Sequence, residues 1–320
     1  MKAHIRNKHK AAGGVKKRRL RLFVLIPLLA IVLFFLIGAL ISLTWNNTIT
    51  EAYYTVASPK LTRDMRIVLI SDLHRKKFDD TNQTLVDLIA AKEPDLICVD
   101  GDMLERGHTE SEDEEFVSLL ARLAEIAPTY FAPGNHDYMA YCASAQKQET
   151  EYDGMLGRSE LLDRLEATGA VFMEENYRDV VINDNNIRIG GFYEFAYLSE
   201  YDTDESWARR RPFLEDFCGT DSFKLMLSHR PDSFIYSGAG SAWDIDLVLS
   251  GHTHNGVIAL PFIHRAIWTS EGLFPEHDRG LFDLGSMKMV ITSGFDGHPP
   301  IPRVFNPPEI AVIDLLAASD

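Results

Sequence analysis

The chain is long enough for one large domain with a substantial core, and it is strongly acidic. Its 320 residues include 32 Lys and Arg against 47 Asp and Glu, a formal net charge of −15 at pH 7. Residues 1–21 hold nine of the basic residues and no acidic one, which leaves 23 basic against 47 acidic residues, or −24, for the remainder. A surface this acidic excludes a groove for nucleic acid and predicts that no nucleic acid is a partner.

The first element in chain order is a run of 22 uncharged, mostly apolar residues from 22 to 43. As a helix that rises 1.5 Å per residue, it spans about 33 Å, which is enough to cross a bilayer. Trp45 follows where an interfacial side chain is expected, and the basic tail before the run places the N-terminus in the cytoplasm. The sequence therefore predicts a single-pass protein of the cell membrane whose main domain lies outside the cytoplasm.

Two other interpretations of this run have weaker support. A cleaved secretory signal has a shorter apolar core and a small-X-small cleavage site, whereas this run is longer and has no convincing site of that kind. The pair Arg18-Arg19 is typical of export of folded domains, but Arg21 interrupts the apolar residues expected after such a pair. We expect four segments: a basic cytoplasmic tail at 1–21, a transmembrane helix at 22–44, a linker at 45–64 and the main domain at 65–320.

Short apolar runs alternate with helical patterns through the rest of the chain. Five runs are typical of buried strands: 67–70, 96–99, 129–132, 225–227 and 245–249. Apolar residues recur at helical spacing over 81–92 and 114–126, as the helices of βαβ units require. Further short strands are predicted at 171–174, 180–182 and 187–192, in a second sheet. The predicted fold class is α/β.

Each of the five buried strands is followed by potential metal ligands. The motifs, in order, are Asp72-Leu73-His74, Gly101-Asp102, Gly134-Asn135-His136-Asp137, Ser228-His229 and Gly251-His252-Thr253-His254. In an open α/β sheet, ligands bind beyond the carboxyl ends of the strands, so these segments are expected to converge. Taken singly, a Gly-Asp pair is usually a turn, and a histidine after a strand is usually a core or capped residue. Five motifs at five strand ends favour one site instead.

The residue types indicate a hydrolytic site that holds metal ions. Carboxylate and imidazole ligands without thiolate suit manganese, zinc or iron, whereas this much histidine argues against calcium. On an extended segment, residues two apart face the same side, so Asp72 and His74 are expected to face one ion; the same spacing recurs in His252 and His254. Asp102 is the candidate to bridge two ions, because its carboxylate offers two oxygens.

These motifs resemble those of the calcineurin-like metallophosphoesterases, whose pattern is Asp-X-His, Gly-Asp, Gly-Asn-His-Asp/Glu, His and Gly-His-X-His. The resemblance extends from about residue 65 to 315. It includes three flanking segments, namely Pro94-Asp95-Leu96, Ser228-His229-Arg230-Pro231 and Asn306-Pro307-Pro308-Glu309-Ile310. These are similar to a membrane-associated bacterial branch with YkuE-like and YaeI-like phosphodiesterases and UDP-2,3-diacylglucosamine hydrolases. That branch usually continues its last motif with Gly-Gly-Gln, whereas Asn255-Gly256-Val257 stands here.

The resemblance implies a sandwich of two sheets flanked by helices and a centre of two divalent ions, with Mn²⁺ first and Zn²⁺ or Fe as alternatives. One ion would be held by Asp72, His74, Asp102 and His254, and the other by Asp102, Asn135, His229 and His252. A hydroxide that bridges the ions would attack the phosphorus. His136 would donate a proton to the leaving group and Asp137 would orient its ring. The alternative for Asp137 is that it only caps a helix.

The sequence thus predicts a membrane-anchored, two-metal phosphoesterase that hydrolyses phosphodiester or pyrophosphate bonds, including those of lipid-linked substrates. Two alternatives stay open. A broad phosphomonoesterase is one, because monoester and diester hydrolysis use the same metals. A noncatalytic metal-binding sensor that keeps the fold is the other, although the complete ligand set favours an enzyme.

Overall fold

Two central sheets organise the structure. The computed structural model describes residues 2–142, 157–198, 204–261, 263, 265–297 and 301–318. Within these ranges the strands, in chain order, are β1 (Thr50–Ser58), β2 (Met65–Ile70), β3 (Leu96–Asp100), β4 (Thr129–Ala132), β5 (Val171–Phe172), β6 (Asn176–Ile182), β7 (Asn185–Gly191), β8 (Phe223–Leu227), β9 (Leu247–Ser250), β10 (Trp268–Thr269), β11 (Gly272–Leu273), β12 (Gly280–Asp283), β13 (Lys288–Ile291) and β14 (Glu309–Ala317).

Helices cover the outer faces of these sheets. The α-helices are α1 (Lys2–Trp45), α2 (Gln83–Ala90), α3 (Glu110–Ile126), α4 (Glu160–Glu166), α5 (Asp204–Cys218), α6 (Asp232–Ile235) and α7 (Ala239–Ala242). Short 3₁₀ helices occupy Tyr138–Tyr141 and His254–Gly256. The predicted helices at 81–92 and 114–126 are confirmed as α2 and α3.

The strand order places most parallel strands at the centre of each sheet. The first sheet has the order β1-β14-β2-β3-β4-β5 and the second the order β12-β13-β9-β8-β7-β6. Strands β2 to β5 run parallel, and so do β7, β8, β9 and β13. Strand β14 runs antiparallel to β2, and the edge strands β6 and β12 run antiparallel to their neighbours. The carboxyl ends of the parallel strands therefore lie along one edge of each sheet.

Apolar side chains fill three layers. Side chains such as Ile67 of the first sheet and Leu225 of the second form the layer between the sheets. Val68 and Phe131, on the other face of the first sheet, pack with side chains of α2, α3 and α4. Val248, on the outer face of the second sheet, lies in a layer with side chains of α5, α6 and α7. This is the predicted α/β sandwich of two sheets flanked by helices.

Helix α3 shows how local sequence sets one of these elements. The Thr109 hydroxyl accepts a hydrogen bond from the Glu112 N–H, and the Glu112 carboxylate accepts one from the Thr109 N–H. This reciprocal pair satisfies N–H groups that have no partner inside the helix. Phe116, Leu120 and Leu123 then recur at helical spacing and are buried in the layer beneath the first sheet.

The predicted strand at 171–174 lies in the first sheet rather than the second. Strand β5 pairs with Tyr130 and Phe131 of β4. The strands predicted at 180–182 and 187–192 are confirmed as β6 and β7 of the second sheet. A short apolar run shows that a strand is buried but not which sheet it joins, and this explains the difference.

Helix α1 contains the predicted membrane segment. Residues Phe23–Trp45 form the one described helical stretch that is long and apolar enough to cross a membrane. Its large side chains are mostly exposed, whereas Gly38 and Ser42 are buried. Phe305 lies against this face: its ring stacks on that of Phe34 with centroids 5.5 Å apart, and its N–H donates to the Ser42 hydroxyl at 3.0 Å. The helix therefore contacts the main domain directly.

Much of the predicted linker at 45–64 is a strand. Strand β1 pairs in parallel with β14 along nine residues, from Thr50 opposite Glu309 to Ser58 opposite Ala317. It forms an edge of the first sheet and is half exposed, so its polar and apolar residues do not form the apolar run that marks the buried strands. Only residues 46–49 join α1 to the sheet.

Candidate metal centre

The five motifs meet beyond the carboxyl ends of β2, β3, β4, β8 and β9. Backbone hydrogen bonds join their loops: Asp72 N–H donates to Gly101 O at 3.1 Å, and Gly251 N–H donates to His229 O at 3.0 Å. These bonds tie the first motif to the second and the last to the fourth. The structure thus brings together the segments that the sequence predicted to converge.

One group of potential ligands consists of Asp72, His74 and His254. One ligand atom from each residue lies within 4.8 Å of the others, and all three side chains are buried. His254 Nε2 is 3.5 Å from Asp72 Oδ1, and the rings of His74 and His254 stack with centroids 5.3 Å apart. These residues belong to the first predicted ion site.

A second group consists of Asp102, His229 and His252. Their ligand atoms also lie within 4.8 Å of one another. His229 Nε2 is 3.2 Å from Asp102 Oδ2, and the His229 and His252 rings meet edge to face with centroids 5.3 Å apart. These three residues belong to the second predicted ion site, for which Asn135 is the fourth predicted ligand.

Asp102 faces both groups. Its Oδ2 atom lies 3.2 Å from His229 Nε2 and 3.9 Å from His74 Nε2, which are in different groups. Its Oδ1 atom accepts the His136 N–H at 2.7 Å, which fixes the plane of the carboxylate. A carboxylate held between two ligand groups has the geometry that a bridging ligand requires.

Backbone carbonyls hold two of the histidine rings by their Nδ1 atoms. His229 Nδ1 lies 2.7 Å from Asp100 O, and His254 Nδ1 lies 2.8 Å from Asp296 O. A carbonyl only accepts hydrogen bonds, so each Nδ1 carries the proton, and Nε2 is the atom directed at the carboxylates. Metal-binding histidines are usually oriented in this way, because the second nitrogen then keeps its lone pair for the ion.

The ligand segments are strained rather than extended. Five of the predicted ligands have a positive φ, namely Asp72 (56°), His74 (50°), Asp102 (51°), His252 (66°) and His254 (47°). The expectation that Asp72 and His74 lie on an extended segment is therefore wrong. Left-handed backbone at residues other than glycine costs about 1–3 kcal/mol each and is concentrated at functional sites.

Two glycines allow the ligand loops to approach closely. A methyl group at Gly134 would overlap the Asp102 carboxylate, and one at Gly251 would overlap the Ser71 hydroxyl and the Asp72 carboxylate. The Ser71 hydroxyl in turn donates to Asp100 O at 2.6 Å. Glycine is thus required in two of the motifs because a side chain there would overlap the ligands, and not because the backbone turns there.

The electrostatics of the site favour positive charge beside its two carboxylates. Burial raises the pKa of Asp72 and Asp102, but the neighbouring histidines outweigh it, so both pKa values lie below the ordinary range. Burial lowers the pKa of His229, but Asp102 and Asp72 raise it well above its usual value. Burial and the charge of His229 lower the pKa of His252 to about 4. A cation bound between the carboxylates would replace the imidazolium charge of His229.

The donor set fits divalent metal ions. In the parts of the chain that the structure describes, the buried Asn135 Oδ1 and both ring nitrogens of His74 form no hydrogen bond. Buried polar atoms without partners are costly, so their number at this one place indicates a ligand. Oxygen and imidazole nitrogen donors without sulfur suit Mn²⁺, Zn²⁺ or Fe.

His136 lies beside the first group and contacts Glu105. Its ring is 4.8 Å from that of His74, edge to face, and its Nδ1 is hydrogen-bonded to Glu105 Oε1. Glu105 Oε2 also lies 3.6 Å from His74 Nδ1. Sequence reasoning missed Glu105, which is three residues after Asp102 in the same loop. The sequence feature that could have indicated it is a second carboxylate in the loop that begins with the Gly-Asp motif.

Asp137 has a different position from the one predicted. Its carboxylate is fully buried and accepts hydrogen bonds from Gly134 N–H (2.7 Å), Met103 N–H (2.8 Å) and the Tyr141 hydroxyl (3.1 Å). The prediction that Asp137 orients the His136 ring is therefore wrong. It precedes the short helix Tyr138–Tyr141, but its side chain forms no cap hydrogen bond there. Asp137 instead ties the loop after β4 to the loop after β3.

The first residue of the segment that departs from the family pattern, Asn255, has a structural role. Asn255 is buried, and its Nδ2 donates to Asn306 Oδ1 at 3.1 Å. Asn306 Nδ2 donates to His254 O at 2.7 Å and to Val257 O at 3.3 Å. Asn255 and the closing Asn-Pro-Pro motif thus hold the loop that carries His254, rather than facing a substrate.

A cavity of about 370 Å³ opens beside the second ligand group. It is lined by His252, Thr253 and Val257. Trp268 and Thr269 of β10 line it as well. A substrate whose phosphate reaches the ligands would have this space for the group attached to the phosphate.

Comparison with known proteins agrees with this geometry. Residues 65–256 match the calcineurin-like phosphoesterase family, and the matched part contains all seven predicted ligands. The fold and the site define a metallophosphoesterase domain. The chain belongs to the calcineurin-like phosphoesterase family.

Three relatives show how this chain compares with individual members. It is 28% identical over 268 residues to an uncharacterized metallophosphoesterase of Campylobacter jejuni, covering 81% of this chain but only 61% of that one. It is 25% identical over 254 residues to the uncharacterized metallophosphoesterase YkuE of Bacillus subtilis, covering 78% of each. It is 25% identical over 294 residues to the UDP-2,3-diacylglucosamine pyrophosphatase LpxG of Chlamydia muridarum, covering 79% of this chain and 84% of that one.

Proposed function

We propose that the protein is a membrane-anchored phosphoesterase that uses two divalent ions, with Mn²⁺ as the first candidate, to hydrolyse phosphodiester or pyrophosphate bonds. One observation carries the proposal. Two compact groups of carboxylate and imidazole ligands lie side by side, and Asp102 faces both. Paired ions that share a carboxylate are typical of enzymes that displace a leaving group at phosphorus.

The two ions would be held by the predicted ligands, in two sets that share one residue. The sets are Asp72, His74, Asp102 and His254, and Asp102, Asn135, His229 and His252. Bound ions would supply Lewis-acid activation of the phosphoryl group and of water. The protein's own residues fix the ligand geometry through the carbonyl contacts of His229 and His254 and the strained loops.

His136 is the residue we propose as the proton donor to the leaving group. It borders the first ligand group, and Glu105 holds its Nδ1. Because the carboxylate at Nδ1 orients the ring, Nε2 can donate a proton to the leaving oxygen as the ester bond breaks. Asp137 stabilises the loop that carries His136, because its carboxylate accepts a hydrogen bond from the Gly134 N–H.

Three features support a lipid-linked substrate at the membrane. Residues Phe23–Trp45 are suited to anchor the chain. The cavity beside His252 has Trp268 as an apolar wall. The Chlamydia muridarum relative is a pyrophosphatase of a diacylated nucleotide sugar by its name. With nine basic residues before the span, the N-terminus would lie in the cytoplasm and the phosphoesterase domain outside it.

The test measures phosphodiester and phosphomonoester hydrolysis by the Mn²⁺-loaded protein. The full chain in detergent micelles is the right material, because Phe305 packs against α1 and would lose that contact in a truncated form. Bis(p-nitrophenyl) phosphate and p-nitrophenyl phosphate are compared for the wild type, Asp102→Asn and His136→Ala. His108→Ala is the matched control, since His108 pairs with Asp113 at the start of α3.

We expect metal-dependent turnover that favours the diester, with large losses in Asp102→Asn and His136→Ala and little change in His108→Ala. Preference for the monoester would replace the proposal with a phosphomonoesterase. Two bound ions without turnover of either ester, or of a nucleotide-lipid diphosphate, would replace it with a metal-binding sensor.

A further inference from the structure

An exposed apolar hairpin lies beside the metal centre. Strands β10 and β11 pair antiparallel, with Trp268 opposite Leu273 and Thr269 opposite Gly272. The side chains of Trp268, Leu273 and the following Phe274 are 66%, 73% and 66% exposed. We call residues 268–274 the apolar hairpin. Such a concentration of large exposed side chains marks an interaction surface rather than ordinary solvent-facing surface.

The apolar hairpin presents no charge outward. Glu271 is the one charged residue among its seven. Its carboxylate turns back and binds His277, with the N–H and Nδ1 of that histidine each 2.8 Å from one of its oxygens. The Glu271 side chain is accordingly only 14% exposed. A tryptophan with neighbouring aliphatic and aromatic side chains, and without exposed charge, is the composition found at the interface of a bilayer.

Backbone contacts join the apolar hairpin to the segment that packs on α1. Phe274 N–H donates to Ile267 O at 2.9 Å, and Ile267 N–H donates to Ile258 O at 3.1 Å. Ile258 in turn forms a parallel bridge with Val304, the residue before Phe305. The apolar hairpin and α1 therefore belong to one continuous layer of the domain.

Two other exposed apolar residues lie in the segments that this layer connects. Ile263 is in the turn closed by the bridge between Ala259 and Ala266, and Ile301 precedes Val304. These residues add exposed apolar side chains outside the apolar hairpin, although Arg265, in the same turn as Ile263, is exposed as well. Exposed apolar residues on this part of the domain therefore come from three separate chain segments.

The contact with α1 fixes how deep this side of the domain lies. Phe34, on which Phe305 stacks, is eleven residues before Trp45. At 1.5 Å per residue, this is about 16 Å from the end of the apolar helix. Phe34 is also eleven residues after Phe23, so if Phe23–Trp45 crosses the bilayer, Phe305 lies beside the middle of the span, and the layer that begins at Val304 starts inside the membrane. The side of the domain with the apolar hairpin then faces the lipid.

The apolar hairpin is also a wall of the cavity beside the ligands. Trp268 and Thr269 line it together with His252 and Thr253. Contact between the apolar hairpin and the bilayer would place the entrance to this cavity at the membrane surface. A phosphate attached to a lipid would then reach the ligands without leaving the bilayer.

We propose that the apolar hairpin enters the interfacial region of a lipid bilayer and holds the mouth of the metal centre against it. The proposal rests on the membrane anchor of the proposed function, but it does not depend on the catalysed reaction. The occupant of the surface is the bilayer itself, since the surface is continuous with the face that packs on the apolar helix.

The test measures how much tryptophan fluorescence brominated lipids quench. The full chain is reconstituted in vesicles of phosphatidylcholine and phosphatidylglycerol with or without bromine on the acyl chains. The protein contains four tryptophans, namely Trp45, Trp207, Trp243 and Trp268. Trp268→Phe tests the apolar hairpin and Trp45→Phe tests the anchor. Trp207→Phe is the control, because Trp207 packs against the core outside the second sheet.

We expect Trp268→Phe and Trp45→Phe each to remove a large part of the quenchable emission, and Trp207→Phe to remove little. If Trp45→Phe lowers the quenching and Trp268→Phe does not, the anchor is inserted but the apolar hairpin is in water or on another protein, and the inference is wrong. If neither variant lowers the quenching, the helix Phe23–Trp45 is not inserted in the bilayer either. Both results leave the turnover of bis(p-nitrophenyl) phosphate as the separate test of the reaction.

Discussion

The hydrogen bond between Glu105 and His136 leads to a quantitative prediction about proton donation. Loss of a general acid typically costs about 10²–10⁴-fold in rate, so His136→Ala should lie in that range for a diester with a poor leaving group. Glu105 contacts the His136 ring at Nδ1, so Glu105→Ala keeps the acid and loses its orientation. Removal of a residue that positions a functional imidazole usually costs about 10–100-fold in activity, and we expect a loss of that size for Glu105→Ala.

The assay compares bis(p-nitrophenyl) phosphate with diphenyl phosphate, at saturating Mn²⁺ and with the metal content measured for each variant. Both variants should lose more activity on diphenyl phosphate, because its leaving group is the stronger base and depends more on protonation. The double variant should be no slower than His136→Ala alone, because Glu105 acts through the ring. Fully additive losses, or equal losses on both substrates, would refute the assigned roles.

Three other predictions concern stability and metal binding. Asp137→Ala should lower the free energy of unfolding by about 3 kcal/mol, because the buried Gly134 and Met103 N–H groups lose their acceptor; urea denaturation measures this, and a change below about 1 kcal/mol would contradict it. Gly134→Ala should reduce bound Mn²⁺, measured by elemental analysis, because the added methyl overlaps Asp102; an unchanged metal content would show that the loop can shift. Burial, with the charges of Glu175 and Glu194, raises the pKa of Glu174 from 4.5 to about 8. The folded protein therefore keeps a proton that the unfolded chain releases, so this group's contribution to stability is complete below about pH 4.5 and falls as the pH rises to about 8. Urea denaturation at several pH values should show this decline in the wild type and a smaller one in Glu174→Gln; equal declines would remove Glu174 as its cause.

The sequence was sufficient to predict the elements that are marked by local patterns. Buried parallel strands are continuous apolar runs, and the ligand motifs follow directly at their ends, so local patterns alone predict that Asp72, Asp102 and His229 share one site. Family resemblance added the division of the ligands into two sets. The close approach of Asp102 to both groups agrees with that division.

What the sequence did not show depends on contacts between distant segments. Strand β1 is recognisable only from its pairing with β14, 259 residues later. The Asp137 carboxylate follows His136 in sequence but turns toward Met103, while Glu105 reaches His136 from another loop. Adjacency in sequence was therefore a poor guide to which carboxylate meets the imidazole. The contact between Phe305 and α1 also joins distant segments, and no local sequence pattern predicts it.

The most direct test of the two-ion site is electron paramagnetic resonance of the Mn²⁺-loaded full chain, together with the number of ions bound per chain. Two Mn²⁺ ions that share Asp102 should give two ions per chain and the spectrum of a magnetically coupled pair. In Asp102→Asn the coupled spectrum should disappear and the metal content should fall. One ion per chain, or two ions with the spectrum of isolated Mn²⁺, would contradict a centre in which Asp102 joins both ions.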